Sequence, residues 1–442
     1  MKTHTQLLWI GLVLTAVGAC KGMKRNHTIT IFKGATIITV DSVLQQASLA
    51  IQDDTIAGIF SAGDPIAPDA TVIDYTGKTI MPMLINGHGH LGLLQGDSAV
   101  SGNYTRENII RQLKKYASFG VGSVMSMGTD HALIFPLRDS SQKGLIPGAT
   151  IFTAGYGLGV NGGGPPPGFA DKVMRPQGIP EAIKDIQQLA ALHPDLVKVW
   201  VDDFSHTAPK MKEDIYDAII QEAHNQHLRV AAHVFYQEDA RRLVNAGVSV
   251  LAHSIRDTVI SDSLVLAIKQ KGVFYIPTLT LDEYNFAYGG DAYWLNDAFF
   301  KRSLEPGVWE RLSSAAFKEK QLKDSTRQKK ITAFKNAVTN LHKLDSAGVT
   351  IVLGTDSGAQ PVRAQGFSEH LELELMEAAG VSPMHVIQAA TINAARMLQV
   401  TNRGNIAIGK KADLLVLNGN PLNDIRQTRN IAAVWKNGVL QK

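Results

Sequence analysis

The 442-residue chain has a single cysteine, Cys20. A disulfide within the chain is therefore excluded, and any bound metal is left to nitrogen and oxygen donors. The chain also has little excess charge, a formal +4 spread along its length, which speaks against nucleic acid as a partner. No GxxxxGK[ST] segment occurs in the glycine-rich stretch 157–171, so phosphate cradling of that kind is excluded there. The apolar run near the start, Leu7 to Val17, is too short to span a bilayer comfortably and argues against a permanent transmembrane helix.

What the chain does have is core material: 45% of its residues are apolar and only 19% charged, which argues for a globular protein. Its length suits one large domain with a smaller companion. Residues 1–20 read as an export signal, with a lysine near the start, an apolar stretch, then small residues. Val17-Gly18-Ala19-Cys20 resembles the lipobox of bacterial lipoproteins, and that resemblance implies an exported protein tethered to a membrane surface through lipidated Cys20. An ordinary cleaved signal is the alternative.

From about 28 to 80, short β-rich runs alternate with turn residues, and the same grammar returns after 402 in GNIAIGKKADLLVLNGN and IAAVWKNGVL. Two such segments alone cannot build a core, so both ends (21–80 and 402–442) are expected to fold together into a small β-sandwich domain. Between them, over 81–401, eight strand-like runs alternate with helix-like stretches: TIMPMLING, VGSVMSM, ATIFTAG, DLVKVWV, LRVAAHV, VSVLAHS, GVFYIPTL and VTIVLGTD. An α/β architecture follows, specifically a (β/α)8 TIM barrel.

Polar residues interrupt these apolar runs at telling places. His88 and His90 lie two apart at the end of the first run, so both rings share a face. Paired imidazoles suit a borderline dication such as zinc. Lys198 lies inside VKVWV, where an unpaired ammonium costs several kcal/mol. It is neutralised either as a carbamate formed with carbon dioxide, by a salt bridge to Asp202 or Asp203, or by reaching the barrel mouth. His233, His253 and Asp356 end the fifth, sixth and eighth runs. In a parallel barrel the carboxyl ends of the strands converge, which brings these six residues around one centre.

This order of ligands resembles that of the metal-dependent amidohydrolase superfamily, over essentially everything after residue 20. GTDSG, AATINAARML and GNIAIGKKADLLVLNGNP support the likeness, and the nearest branch looks like the imidazolonepropionase-like and Xaa-Pro dipeptidase-like enzymes. The resemblance implies two divalent metal ions, zinc by preference, with His88, His90 and Asp356 on one and His233 and His253 on the other. Carboxylated Lys198 would bridge them, and Asp356 would move the proton during hydrolysis of a C–N bond in a small-molecule substrate. A pocket so charged is slightly positive, which favours an anionic substrate such as a dipeptide or N-acyl amino acid. A one-metal cyclic amidohydrolase with a structural Lys198 is the rival, and a non-catalytic ligand-capturing lipoprotein is a third reading.

Two departures from the family stand out. Asn86 occupies the place of a common aspartate, and Gly128-Thr129-Asp130-His131 replaces a common arginine-aspartate pair. His131 and Tyr236 are weak candidates for substrate contact. The loop 157–171 is expected to border the substrate. The aromatic segment from Tyr284 to Trp309 forms either a lid or substrate wall, or its own packed cap or an oligomer contact, and the lysine-rich stretch Arg311 to Lys343 reads as solvated helix faces.

Overall fold

The structure, a computed structural model, describes residues 29–64, 69–166, 168–290 and 292–441. The expected signal and Cys20 lie outside the described residues. Among those described, no helix is long and apolar enough to cross a membrane.

The two chain ends do fold together. Five strands from the amino-terminal side, the first being Ile29–Ile38 and the last Thr79–Pro82, join Leu414–Leu417, Ile431–Lys436 and Val439–Leu440 in one eight-stranded sheet. The seam is an antiparallel ladder in which Val416 faces Ile80 and Leu415 faces Met81, so the sheet runs slightly past the expected boundary at 80. Phe32, Leu49, Ile56, Ile80, Leu414 and Val416 bury one apolar cluster on it. Local chemistry sets the hairpins. Asn437 and Gly438, both with positive φ, form the two-residue turn that places Lys436 opposite Val439.

The middle of the chain is an α/β structure of parallel strands. Leu84–Gly89, Val121–Ser126 and Thr150–Thr153 form one parallel sheet. Val197–Trp200, Val230–His233, Val250–Ala252 and Phe274–Ile276 form another. Single parallel bridges continue the pattern: Leu158 to Val199, Tyr275 to Ile351, and Gly89 to Ser357. The eighth run, VTIVLGTD, is therefore held by bridges rather than a ladder. Part of its backbone is engaged elsewhere, since the Leu353 N–H donates to the Ala389 carbonyl.

Alternate side chains of these strands enter two separate apolar clusters. Ile85, Met125, Phe152, Ala231, Ile276 and Val352 pack together on one face, while their neighbours Leu84, Val124, Ile151, Val230, Tyr275 and Ile351 pack with the helices on the other. A parallel sheet covered on both faces requires the near-continuous apolar runs seen in the sequence.

One buried acid gives a test of this packing. Asp195 accepts the Thr153 N–H at 2.7 Å, and burial raises its pKa to about 6, against that hydrogen bond and the Arg138 charge, which pull it down. The folded value lies above the unfolded one, so this group's contribution is fully present below pH ~4 and is lost as pH rises through about 6. Its side chain is 19% exposed, which limits the deficit at pH 7 to about 1–3 kcal/mol. Asp195→Asn keeps an oxygen for Thr153 and should be more stable than the parent by that amount at pH 7 and equal to it near pH 4. Denaturant unfolding at both pH values measures this, and an unchanged difference would refute it.

Candidate active site

All six residues singled out in the sequence are buried, and they lie together. His88 is the fifth residue of its strand and His90 follows the strand's end. His233 closes the strand Val230–His233, and His253 and Asp356 lie just beyond strand-like runs with positive φ of 82° and 57°. Left-handed backbone at non-glycine residues costs of order 1–3 kcal/mol, and such strain concentrates at functional sites. Lys198 is not at a strand end as expected. It is the second of four residues in Val197–Trp200 and is fully buried.

Asp356 is the hub. Its Oδ1 lies 2.8 Å from His90 Nε2 and 3.3 Å from His88 Nε2, and its Oδ2 accepts from Arg363. Burial would raise its pKa, but the charges of Arg363 and His90 outweigh that and hold the carboxyl well below the usual range. The rings of His88 and His253 are 4.5 Å apart and those of His233 and His253 4.3 Å apart. Burial, with the Lys198 charge adding, drives His88 down to about 3. Burial and the neighbouring imidazoles likewise push His253 well below its ordinary value. Both rings are thus neutral and offer lone pairs. Ligand atoms of His88, His253 and Asp356 all lie within 4.8 Å of one another.

Residues from other parts of the chain orient the rings. Thr129 Oγ1 is 2.7 Å from His90 Nδ1, Thr278 Oγ1 is 2.9 Å from His253 Nδ1, and Asp202 Oδ2 is 3.0 Å from His233 Nε2. Asn86 makes no hydrogen bond to the rings of this cluster or to Asp356 among the described residues. Its Oδ1 accepts the His88 backbone N–H at 2.9 Å and its Nδ2 donates to Glu369 at 2.6 Å. Glu369 also accepts from Thr355 and Ser357, both at 2.7 Å. A neutral amide at 86 therefore ties the first run to the Thr355 and Ser357 side chains of the eighth, directly and through Glu369. Asp130 is likewise saturated by Ser126, Thr153 and Tyr104.

Lys198 has no salt bridge to Asp202, which is occupied by His233, nor to Asp203, which pairs with Lys210 and His206. Its Nζ is fully buried without a hydrogen-bond partner among the described residues, 5.5 Å from the Trp200 ring centre. Burial lowers its pKa to about 7, with Asp356 opposing. His88 Nδ1 is a second buried atom without a partner. Two orphaned nitrogens beside neutral imidazoles and a carboxylate make a donor set that fits divalent cations of the zinc type.

His88, His90, His233, His253 and Asp356 line a cleft of about 950 Å³. Pro165, Pro166 and Phe169 border it, as expected of the loop 157–171. Two expectations fail. Tyr236 donates to Asp203 at 2.8 Å and does not line the cleft. His131 stacks on Tyr104 at 4.2 Å and lies 3.1 Å from Asp171, also off the lining. The aromatic segment is not a substrate wall either. Tyr284, Tyr288, Trp294 and Phe300 bury one another against Phe367 and Leu371, a packed cap beside the cleft. Conversely, Arg311, Lys329 and Lys330 do line it, so part of the lysine-rich stretch faces the site rather than open solvent. Arg363 and the Arg256–Asp282 pair were missed. The spacing signal for Arg363 was available, seven residues after Asp356 in a turn-rich loop.

Known proteins resemble this chain over most of its length. The family model described as "Amidohydrolase family" matches residues 79–440. The ochratoxinase of Aspergillus niger is 25% identical over 461 aligned residues, covering 94% of this chain and 87% of that protein. The imidazolonepropionase of Deinococcus deserti is 34% identical over 102 residues, 22% of this chain and 25% of that one. The crystal structure of a Xaa-Pro dipeptidase with methionine bound in its active site superposes with a TM-score of 0.74 at 24% identity, covering 93% of this chain and 99% of the other. The chain belongs to the amidohydrolase family.

Proposed function

We propose that the protein is a metal-dependent amidohydrolase that cleaves an amide or peptide bond in a small molecule bearing a carboxylate, such as a dipeptide or N-acyl amino acid. Family membership supports hydrolysis of C–N bonds in general. The observation that carries the finer reading is the fully buried Lys198 amine, without a hydrogen-bond partner among the described residues, near the imidazoles of His88, His233 and His253 and the Asp356 carboxylate. Carboxylation would convert the orphan into a bidentate anion, with His88, His90 and Asp356 on one dication and His233 and His253 on a second.

When bound, such ions polarise a carbonyl and lower the pKa of a water. The chain's own residues supply the remaining chemistry. Asp356, held ionised by Arg363, takes the proton of the attacking water and delivers it to the departing nitrogen. Thr129 and Thr278 hold the rings of His90 and His253 in orientation through their Nδ1 atoms. Arg311 and Lys329 give the cleft cationic groups for a substrate carboxylate.

The proposal extends to the architecture: the bridged parallel strands are a (β/α)8 barrel over 81–401, and the terminal sheet is a small β-sandwich. It extends also to an exported enzyme tethered through Cys20. One observation favours the one-metal rival, since His233 Nε2 already has Asp202 as a partner.

Metal analysis and a substrate panel decide between the readings. Residues 21–442, reconstituted with zinc, should hold close to two ions per chain and hydrolyse linear carboxylate-bearing amides, followed by mass spectrometry. One ion with turnover of cyclic amides alone would establish the rival. Metal-loaded protein that binds substrates without turning any over would establish ligand capture.

A further inference from the structure

Asp282 is a carboxylate with no place in the hydrolytic chemistry above. It is 4% exposed yet lines the cleft with His253 and Asp356. One of its oxygens, Oδ1, is held by Arg256 Nε at 3.0 Å. The other, Oδ2, is buried and has no hydrogen-bond partner among the described residues. Arg256 is itself immobilised, because its Nη1 donates to the carbonyls of Ser254 at 2.7 Å and Val234 at 3.3 Å while its guanidinium lies 4.6 Å from the Phe235 ring centre. The result is a carboxylate fixed in orientation by a rigid arm, with one strong acceptor left open on the wall of the substrate cleft.

A buried acceptor left unmatched is costly, and one on the wall of a substrate cleft is placed to be matched by a donor of the ligand. Carboxylate oxygens form their strongest hydrogen bonds with cationic donors. We infer that Asp282 Oδ2 receives the protonated amine of the substrate, so that the enzyme selects amides with a free amino group, dipeptides among them, over N-acyl compounds lacking one. The inference rests on the hydrolase reading and narrows its substrate class. Cationic groups of the cleft, Arg311 and Lys329, then remain for the carboxylate end of the same zwitterion.

Matched pairs differing only in the amine test it: leucyl-phenylalanine against isocaproyl-phenylalanine, and alanyl-proline against propionyl-proline. Binding by calorimetry and hydrolysis by mass spectrometry are both measured on the zinc-reconstituted protein. The amine-bearing member should bind at least roughly thirtyfold more tightly, as for a desolvated charge pair. In Asp282→Asn, whose amide oxygen still accepts from Arg256, that ratio should collapse to within about threefold by the same pairing argument, with thermal melting confirming the fold. If the wild type shows no preference within pairs it hydrolyses, the Asp282 assignment is overturned while the hydrolase reading stands. Preferential binding of the amine without turnover keeps the assignment and removes the hydrolase reading. Absence of both binding and turnover overturns both.

Discussion

Lys198→Met is expected to move stability and activity in opposite directions. The substitution keeps an unbranched stem of similar volume against Gly128 and Trp200 and removes only the orphaned ammonium. That group is fully buried without a hydrogen-bond partner among the described residues. Relieving such a burden is worth about 2–4 kcal/mol, so the metal-free variant should resist urea better than metal-free wild type. The zinc-reconstituted variant should behave the other way. It should hold at least one ion fewer per chain and lose on the order of a thousandfold in kcat/KM, the rate equivalent of about 4 kcal/mol of charge stabilisation. A lysine with a purely structural role would give neither pattern, because its replacement would lower stability and leave metal content alone. Normal turnover with a full metal complement would sink the carbamate bridge and leave the one-metal reading.

Lys198 was legible in the sequence for the same reason that makes it testable. A charged residue in the middle of VKVWV has no inexpensive explanation in a buried strand, whereas a histidine at the end of one has several. The histidines became legible only as a set, through the parallel alternation of strand and helix that delivers strand ends to one face. Two of the anticipated contacts failed because side-chain direction cannot be read from proximity in sequence. Tyr236 is only three residues beyond His233, yet its phenol turns to Asp203. His131 is next to Asp130 in a loop on the right face, yet it spends its ring on Tyr104.

The supporting partners were hidden more deeply. The helix Phe367–Ala378 reads FSEHLELELMEA, which suggests a solvated acidic face. Glu369 and Glu372 are nevertheless fully buried, because each accepts backbone or side-chain donors from other segments. Glu369 takes Asn86, Thr355 and Ser357, while Glu372 takes the N–H groups of Leu279 and Thr280. Such acids are defined by orphan donors elsewhere in the fold, so no local periodicity announces them. The lysine-rich stretch failed in the opposite sense. A helix face exposed to water and a helix face lining a wide polar cleft have the same composition, and only the position of Lys329 and Lys330 over the cleft separates the two.

Asp356→Asn is expected to abolish most of the catalysis while preserving the shape of the site. The amide retains an oxygen for one neighbour but cannot accept the proton of an attacking water, and loss of general acid–base transfer costs about 10²–10⁴ in rate. Because His88, His90 and Arg363 all converge on this carboxylate, the change also leaves the Arg363 guanidinium, 14% exposed, without its anion. A modest loss of stability, about 1–3 kcal/mol, should accompany the loss of rate. Arg363→Met separates the two effects. It removes the partner that holds Asp356 ionised but leaves the proton acceptor in place, so its kcat should fall by only about ten- to a hundredfold, the range seen when a supporting partner is removed. Comparable losses in both variants would mean that Arg363 contacts the reacting substrate directly. A near-normal kcat in Asp356→Asn would show that another group carries the proton, and the assignment of Asp356 as the catalytic residue would fall.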